Sequence, residues 1–359
     1  MKWPGGGESP SLARVAVLWP DDTGLRRRKR GCGSKDREEI IAKMKVAIVG
    51  AGGIGGSFGA LLHLAGVDVT LVEVDPRRVE AISRNGLEIV LPDGSEKRCD
   101  IRISDDPAEV GVVDLVQISV KGYHTESAAK SIKPMLGPET YVLSLQNGLG
   151  NLRRIAEHVP ENLILGGVTA LSAMPLGLNR VKFNGGIGGL KFGRLDGTID
   201  DRLRKVAETF IKAGLEVHLI EGDIRVPIWR KLLANAGNCV AAITGFTGTQ
   251  LMACAETRKL TALLARETAE VARAEGLDFP ELEDVDEYVL TQCLPGVRDN
   301  KISMLQDVEA NRRTEIDTLN AEICRVGKEH GVPTPVNQVM TLLIKAREQK
   351  MLWDRETVK

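Results

Sequence analysis

From Met44 onward, short apolar runs alternate with stretches in which apolar residues recur every three or four positions. The runs at 46–49, 67–72, 115–120, 141–145, 163–168 and 217–220 predict strands, and the stretches at 76–85, 125–135 and 152–158 predict helices. Such alternation implies a mostly parallel sheet with helices on both faces. The segment 181–192, with Asn184-Gly185-Gly186 inside it, reads as an antiparallel hairpin added to that sheet. A helix over 200–213, ended by Gly214, follows. After about Gly222 the strand signal stops. Helical patterns cover 227–243, 251–274, 285–293, 311–329 and 336–350, punctuated by Gly276, Pro295-Gly296 and Gly331-Val332-Pro333. A doubly wound first part and a helical second part leave a cleft outside the carboxyl ends of the strands, where ligands bind in such sheets.

The first strand runs directly into Gly50-Ala51-Gly52-Gly53-Ile54-Gly55, and Phe58, Leu61, Leu62 and Leu64 then carry a helical pattern. Strand, G-x-G-x-x-G and helix in register form a dinucleotide-binding fingerprint. Gly50 allows the turn off the strand, Gly52 lets the backbone approach a pyrophosphate, and Gly55 lets the helix pack close to the sheet. The N–H groups at the helix start face the phosphates. The expected fold class is therefore α/β: a Rossmann-type doubly wound NAD(P)-binding domain over 44–222 and an all-α substrate and catalytic domain over 223–359.

Such a loop normally sits near the start of a chain, yet about forty residues precede it here. The segment 1–43 holds ten Lys/Arg against six Asp/Glu, including Arg26-Arg27-Arg28-Lys29-Arg30. A basic targeting or nucleic-acid arm is one reading. The acids count against a transit peptide, and Val15-Ala16-Val17-Leu18-Trp19 is too short for a signal-peptide core. The expectation is a disordered extension outside the fold, from an upstream start codon, with the working protein beginning near Met44.

Composition adds mainly exclusions. The net charge of −1 over 359 residues gives no reason to expect nucleic acid or an acidic membrane as partner. No apolar run approaches the ~18 residues of a membrane span. Cys32, Cys99, Cys239, Cys254, Cys293 and Cys324 are scattered, with no C-x-x-C and no histidine pair at ligand spacing, so neither a metal site nor a disulfide framework is indicated. Reduced cysteines in a cytoplasmic monomer or homodimer are expected.

Candidate chemistry lies at the strand tips and on one helix. Glu73 ends the second strand, where a carboxylate accepts the ribose hydroxyls of NAD and repels a 2′-phosphate. Arg77 and Arg78 follow, either to pair with a 2′-phosphate or as a solvated helix face. Lys121 and Asn147 stand at the tips of two further strands, placed to touch cofactor ribose, carboxamide or substrate. Reduction of a ketone needs a general acid near the carbonyl oxygen and donors for the substrate's anionic end. Lys231, Asn235 and Asn238 lie at i, i+4 and i+7 among Leu232, Leu233, Ala236 and Val240, hence on one face of a mostly buried helix. Burial lowers a lysine's pKa toward neutrality. Ser303 and Glu315 sit on what spacing alone reads as a charged helix, Ser303 able to hold a carboxylate and Glu315 to orient Lys231 or bind a substrate hydroxyl.

With these pieces assembled, the chain from Met44 to about Lys350 resembles the ketopantoate reductases, most specifically at Trp229-Arg230-Lys231-Leu232, Ser303-Met304-Leu305-Gln306-Asp307 and Arg313-Thr314-Glu315-Ile316-Asp317. The resemblance implies NADP(H)-dependent reduction of 2-dehydropantoate, a small 2-oxo acid, to (R)-pantoate on the route to pantothenate and coenzyme A. It implies Lys231 as general acid, Glu315 beside cofactor and substrate, and Asn147 touching both. Lys121 is implied as a cofactor contact, and Asn235 and Ser303 as substrate contacts. The chain departs from the family in three places. Cys239 stands where a second asparagine is usual, with Asn238 one position earlier as its expected replacement; Gly248 stands where some members have a further asparagine. Glu73 departs from the basic residue of a strict NADPH enzyme and leaves NAD(H) open. A reductase of the same fold acting on another 2-oxo or hydroxy acid, or a non-catalytic NAD(P) sensor, are the alternatives.

Overall fold

The computed structural model describes residues 44–357. The expected extension 1–43, with its basic run and Cys32, lies outside the described residues. Twelve strands form two sheets: β1 (Lys45–Val49), β2 (Asp68–Val72), β3 (Leu87–Val90), β4 (Glu96–Cys99), β5 (Arg102–Ser104), β6 (Leu115–Ile118), β7 (Tyr141–Ser144), β8 (Ile164–Thr169), β9 (Ser172–Pro175), β10 (Arg180–Gly185), β11 (Leu190–Arg194) and β12 (Val217–Leu219). The main sheet has the order β12-β11-β8-β7-β6-β1-β2-β5. β5, β2, β1, β6, β7 and β8 are parallel, so the carboxyl ends of all six lie along one edge. The order reverses between β1 and β6, which makes their tips the switch point where α/β sheets bind ligands. Val46, Ala47, Ile48 and Val49 are all buried because helices cover both faces of the central strand, which is why this strand reads as a continuous apolar run.

One expected pairing fails. The segment 181–192 is not a hairpin: β10 pairs with β9 and β3 in a second sheet of order β4-β3-β10-β9, while β11 runs antiparallel to β8 in the main sheet. Gly186 and Gly189 explain the divergence. Both have positive φ, and a Cβ there would lie 2.4 Å from the Ala170 carbonyl oxygen and 2.3 Å from that of Glu216, so the linker is packed onto other segments rather than folded as a turn. The short strands β4, largely exposed, and β5, of three residues, carry too little apolar alternation to be read from sequence. The Gly53–Leu64 helix lies between the two sheets, with Phe58 edge-on to Phe210 at 6.2 Å.

Beyond β12 the described residues form helices and turns only. Their core gathers Trp229, Leu232, Leu233, Val240, Leu264, Ile316 and Ile344, among others. The expected helix at 227–243 is two helices, Arg225–Asn235 and Asn238–Thr244, interrupted at Gly237, where a Cβ would press at 2.8 Å on Thr261 of the crossing Ala255–Ala274 helix. The expected helix at 311–329 begins only at Asn320. The preceding helix ends at Glu309, Asn311 turns the chain at φ 50°, and 310–319 is irregular. The last helix spans Pro335–Thr357.

Candidate active site

The glycine loop forms as its residue types require. Gly50 has φ 97°, and a Cβ on Gly55 would sit 1.9 Å from the Gly50 carbonyl oxygen and 2.9 Å from Ser119 Cβ. A Cβ on Gly52 would meet nothing within 4 Å, so this face of the loop is open. Gly52 is the N-cap of the Gly53–Leu64 helix and offers no side chain to its first N–H groups. Uncapped donors, an open backbone and the positive end of a helix suit a pyrophosphate. Gly53 and Ile54 belong to the same turn, and Gly53 is covered by the Ala173 backbone of β9.

Glu73 closes this loop from the tip of β2. Its Oε2 accepts from Ala51 N at 3.0 Å, and its Oε1 accepts from Val74 N and Asp75 N at 2.8 and 3.1 Å. Arg78 lies 3.7 Å from Glu73 and donates to the carbonyls of Ala51 and Leu178 at 3.3 and 2.9 Å. It is therefore committed to protein acceptors rather than lying on a solvated face. Arg77 is exposed and forked onto Asp75.

The tips of β6 and β7 meet the irregular segment that follows the Ser303–Glu309 helix. Lys121 Nζ lies 2.7 Å from Asp307 Oδ2 and 3.5 Å from Glu315 Oε2, while Glu315 Oε1 accepts from Gly122 N at 3.2 Å. Burial disfavours the lysine's charge, but Glu315 and Asp307 outweigh it and hold Lys121 above the ordinary lysine value. Arg312 holds the other oxygen of Asp307 at 3.0 Å, and the Arg313 guanidinium stacks 4.6 Å over the Tyr123 ring. Leu149 N donates to the Thr318 carbonyl at 2.8 Å, and a Cβ on Gly148 would lie 2.0 Å from that oxygen. Loop and segment are thus pressed together beside Asn147, whose carbonyl accepts from Asn151.

Lys231 meets the sheet at a different strand, β8. Its Nζ donates to the Thr169 carbonyl, at the carboxyl end of β8, at 2.7 Å. Burial pushes the Lys231 pKa down to about 8, opposed by the charge of Glu315. Asn238 Nδ2 donates to Asn235 Oδ1 at 3.3 Å across the interrupted helix, so these two form one polar pair. Cys239 points the other way: it is fully buried, donates to the Ala236 carbonyl at 3.2 Å, and burial pushes its thiol up to about 12. Gly248 is a glycine for a steric reason, since a Cβ would meet the Arg298 carbonyl at 2.6 Å.

The fold therefore joins Lys121 to Glu315, brings Glu315 within electrostatic reach of Lys231, and pairs Asn235 with Asn238. Ser303 is exposed at the start of its helix and is joined to none of these by a hydrogen bond among the described residues. The sequence reading missed the part played by Asp307 and Arg312. Their only signal was charge within a motif that spacing treats as an ordinary solvated helix.

The comparisons fit this geometry. Residues 46–197 match the family model described as Ketopantoate reductase PanE/ApbA, and residues 223–348 match its C-terminal model. The chain belongs to the ketopantoate reductase family. Family relatives include a 2-dehydropantoate 2-reductase from Halobacterium salinarum, 31% identical over 307 residues that cover 85% of this chain and 99% of the relative. One from Pyrococcus abyssi is 32% identical over 308 residues, covering 85% and 98%. Among solved structures, a PanE/ApbA family ketopantoate reductase from Ralstonia eutropha JMP134 is 30% identical, with a TM-score of 0.77 over 86% of this chain and 100% of that one. D-mandelate dehydrogenase with NADH and anilino(oxo)acetate is 29% identical, with a TM-score of 0.79 over 86% and 99%. As a member of this family, the chain is an oxidoreductase that acts on CH–OH groups with a nicotinamide cofactor. No helix among the described residues is long and apolar enough to cross a membrane.

Proposed function

We propose that this reductase converts 2-dehydropantoate to (R)-pantoate, with 44–222 as the cofactor domain and 223–359 as the substrate domain. The observation that carries the reading is the placement of Lys231 at the carboxyl end of β8 and of Glu315 beyond that of β6, close enough for the carboxylate's charge to act on the lysine, which carries a pKa of about 8. The residues of the glycine loop, Gly50 to Gly55, hold the pyrophosphate, and Lys121 and Asn147 face the cofactor from the neighbouring tips. The bound reduced nicotinamide supplies the hydride for the carbonyl carbon. Lys231 Nζ donates its proton to the carbonyl oxygen, completing the hydroxyl, and regains one from water after product leaves. Asn147, Asn235, Asn238 and Ser303 hold the polar ends of the oxo acid. Glu315 accepts from its distal hydroxyl and keeps Lys231 protonated by charge.

For the coenzyme, we propose NADH over NADPH. An ionised carboxylate accepts at roughly four positions; three backbone donors occupy Glu73, which leaves one for a ribose hydroxyl. A 2′-phosphate would meet this negative charge while Arg78 is already committed.

Cys239 favours a second reading. With its side chain in the core, the site lacks the asparagine usual at this position, so it can suit a less polar 2-oxo acid, such as the one related to mandelate. Steady-state reduction of 2-dehydropantoate and phenylglyoxylate, each with NADH and NADPH, tests both choices. Higher kcat/KM for phenylglyoxylate overturns the substrate, and higher kcat/KM with NADPH overturns the coenzyme.

A further inference from the structure

Glu315 lies in no helix. The segment 310–319 has little regular structure of its own, yet Glu315 must be held where Gly122 N and Lys121 reach it. Its neighbour Thr314 is fully buried. Both polar donors of Thr314, the backbone N–H and the hydroxyl, point at a single atom, Glu348 Oε1, at 2.6 and 2.7 Å. Glu348 is on the last helix, 34 residues further along the chain. One helical turn earlier, Lys345 pairs with Asp317 at 2.6 Å, and Asp317 also holds Arg313 at 3.0 Å. The last helix therefore grips the segment on both sides of Glu315.

We infer that Glu348 is a positioning residue for Glu315, acting through its paired hydrogen bonds to Thr314. The inference rests on the reading above, in which Glu315 faces cofactor and substrate. A buried N–H and a buried hydroxyl without an acceptor are costly, so loss of Glu348 forces Thr314 to move toward water. Glu315 is the next residue and moves with it. Misplacement by about 1 Å is enough to cost on the order of a hundredfold in rate. The glycine loop lies on the other domain and is untouched by this displacement.

The test uses the full chain with Glu348→Ala, Glu348→Gln and Glu315→Gln, assayed with NADH and 2-dehydropantoate, together with amide hydrogen exchange across 312–318. Glu348→Ala is expected to lower kcat about 10- to 100-fold, with KM for NADH within about threefold and faster exchange at Thr314. Glu348→Gln, whose amide oxygen can accept the same two hydrogen bonds, is expected to restore most of kcat and the slow exchange. If Glu348→Ala fails to fold, Thr314→Val, which removes only the hydroxyl, is expected to lower kcat where Thr314→Ser does not. Unchanged kcat and unchanged exchange in Glu348→Ala overturn the inference. So does a Gln variant as impaired as Ala, with kcat falling and KM for NADH rising well beyond threefold. Wild-type turnover by Glu315→Gln sinks instead the reading of Glu315 at the site; the exchange arm is independent of which oxo acid is used.

Discussion

Replacing Lys231 with methionine separates what this lysine costs the fold from what it gives to chemistry. Its pKa of about 8 against an ordinary 10.5 means that holding it charged in place costs about 3 kcal/mol at neutral pH. The unfolded chain keeps the proton up to about 10.5, whereas the folded chain gives it up near 8. Between those values the unfolded state binds more protons, so this lysine makes wild-type stability rise with pH. Below about 8 the full cost is present; above about 10.5 it is gone. Lys231→Met removes the effect but also the hydrogen bond to Thr169, which offsets it by about 1.5–3 kcal/mol when the amine is charged. At pH 7 the two proteins should therefore be nearly equal in stability. From pH 7 to pH 10.5, urea unfolding of both should show wild type gaining roughly 2–3 kcal/mol on the variant. Turnover should tell the opposite story: a loss of about 10²- to 10⁴-fold in the variant, and a wild-type reduction rate that declines as pH rises through about 8, where the donor loses its proton. Parallel stability curves, or a reduction rate flat from pH 7 to 9, would refute the argument that Lys231 is a buried, proton-donating amine.

Three further outcomes follow from the same geometry. Glu315→Gln removes the charge that supports protonated Lys231, so the alkaline limb of the kcat profile should move to lower pH; a limb left in place shows that the two groups do not interact. Gly55→Ala forces a Cβ into the Gly50 carbonyl, which should cost about 1–3 kcal/mol in urea unfolding and weaken NADH binding measured by fluorescence; unaltered binding would mean that the loop does not hold the cofactor. Glu73→Gln keeps an acceptor but drops the negative charge, and the ratio of kcat/KM for NADPH to that for NADH should rise about tenfold, or ~1.4 kcal/mol; no change would detach Glu73 from coenzyme choice.

Much of the fold could be read from local pattern. The 76–85 helix is found as Pro76–Asn85, begun by Asp75 accepting from Arg77 N and stopped by Gly86 at φ 71°. The parallel strands show as apolar runs because both of their faces are covered. The 181–192 segment departs from the expected hairpin because turn-type glycines look the same whether they close a hairpin or thread between sheets. The 311–329 segment departs from the expected helix because its residues 311–319 take their shape from contacts to Lys121, Gly122 and Glu348, none of them near in sequence.

By itself the sequence determined the class of the chain. Strand, glycine loop and helix must be contiguous to bind a dinucleotide, and that demand is written in consecutive residues. It also named Lys231 and Glu315, since their motifs are local strings. What those residues do to one another was decided only by the tertiary structure. Whether Lys231 is a surface stripe or a low-pKa donor depends on desolvation of its amine at the carboxyl end of β8 and on a carboxylate 84 positions away. Whether Cys239 replaces an asparagine in the cleft or faces the core depends on the helix interruption at Gly237, set by the crossing helix at Thr261. Desolvation and charge act through space, and only the folded chain fixes the distances.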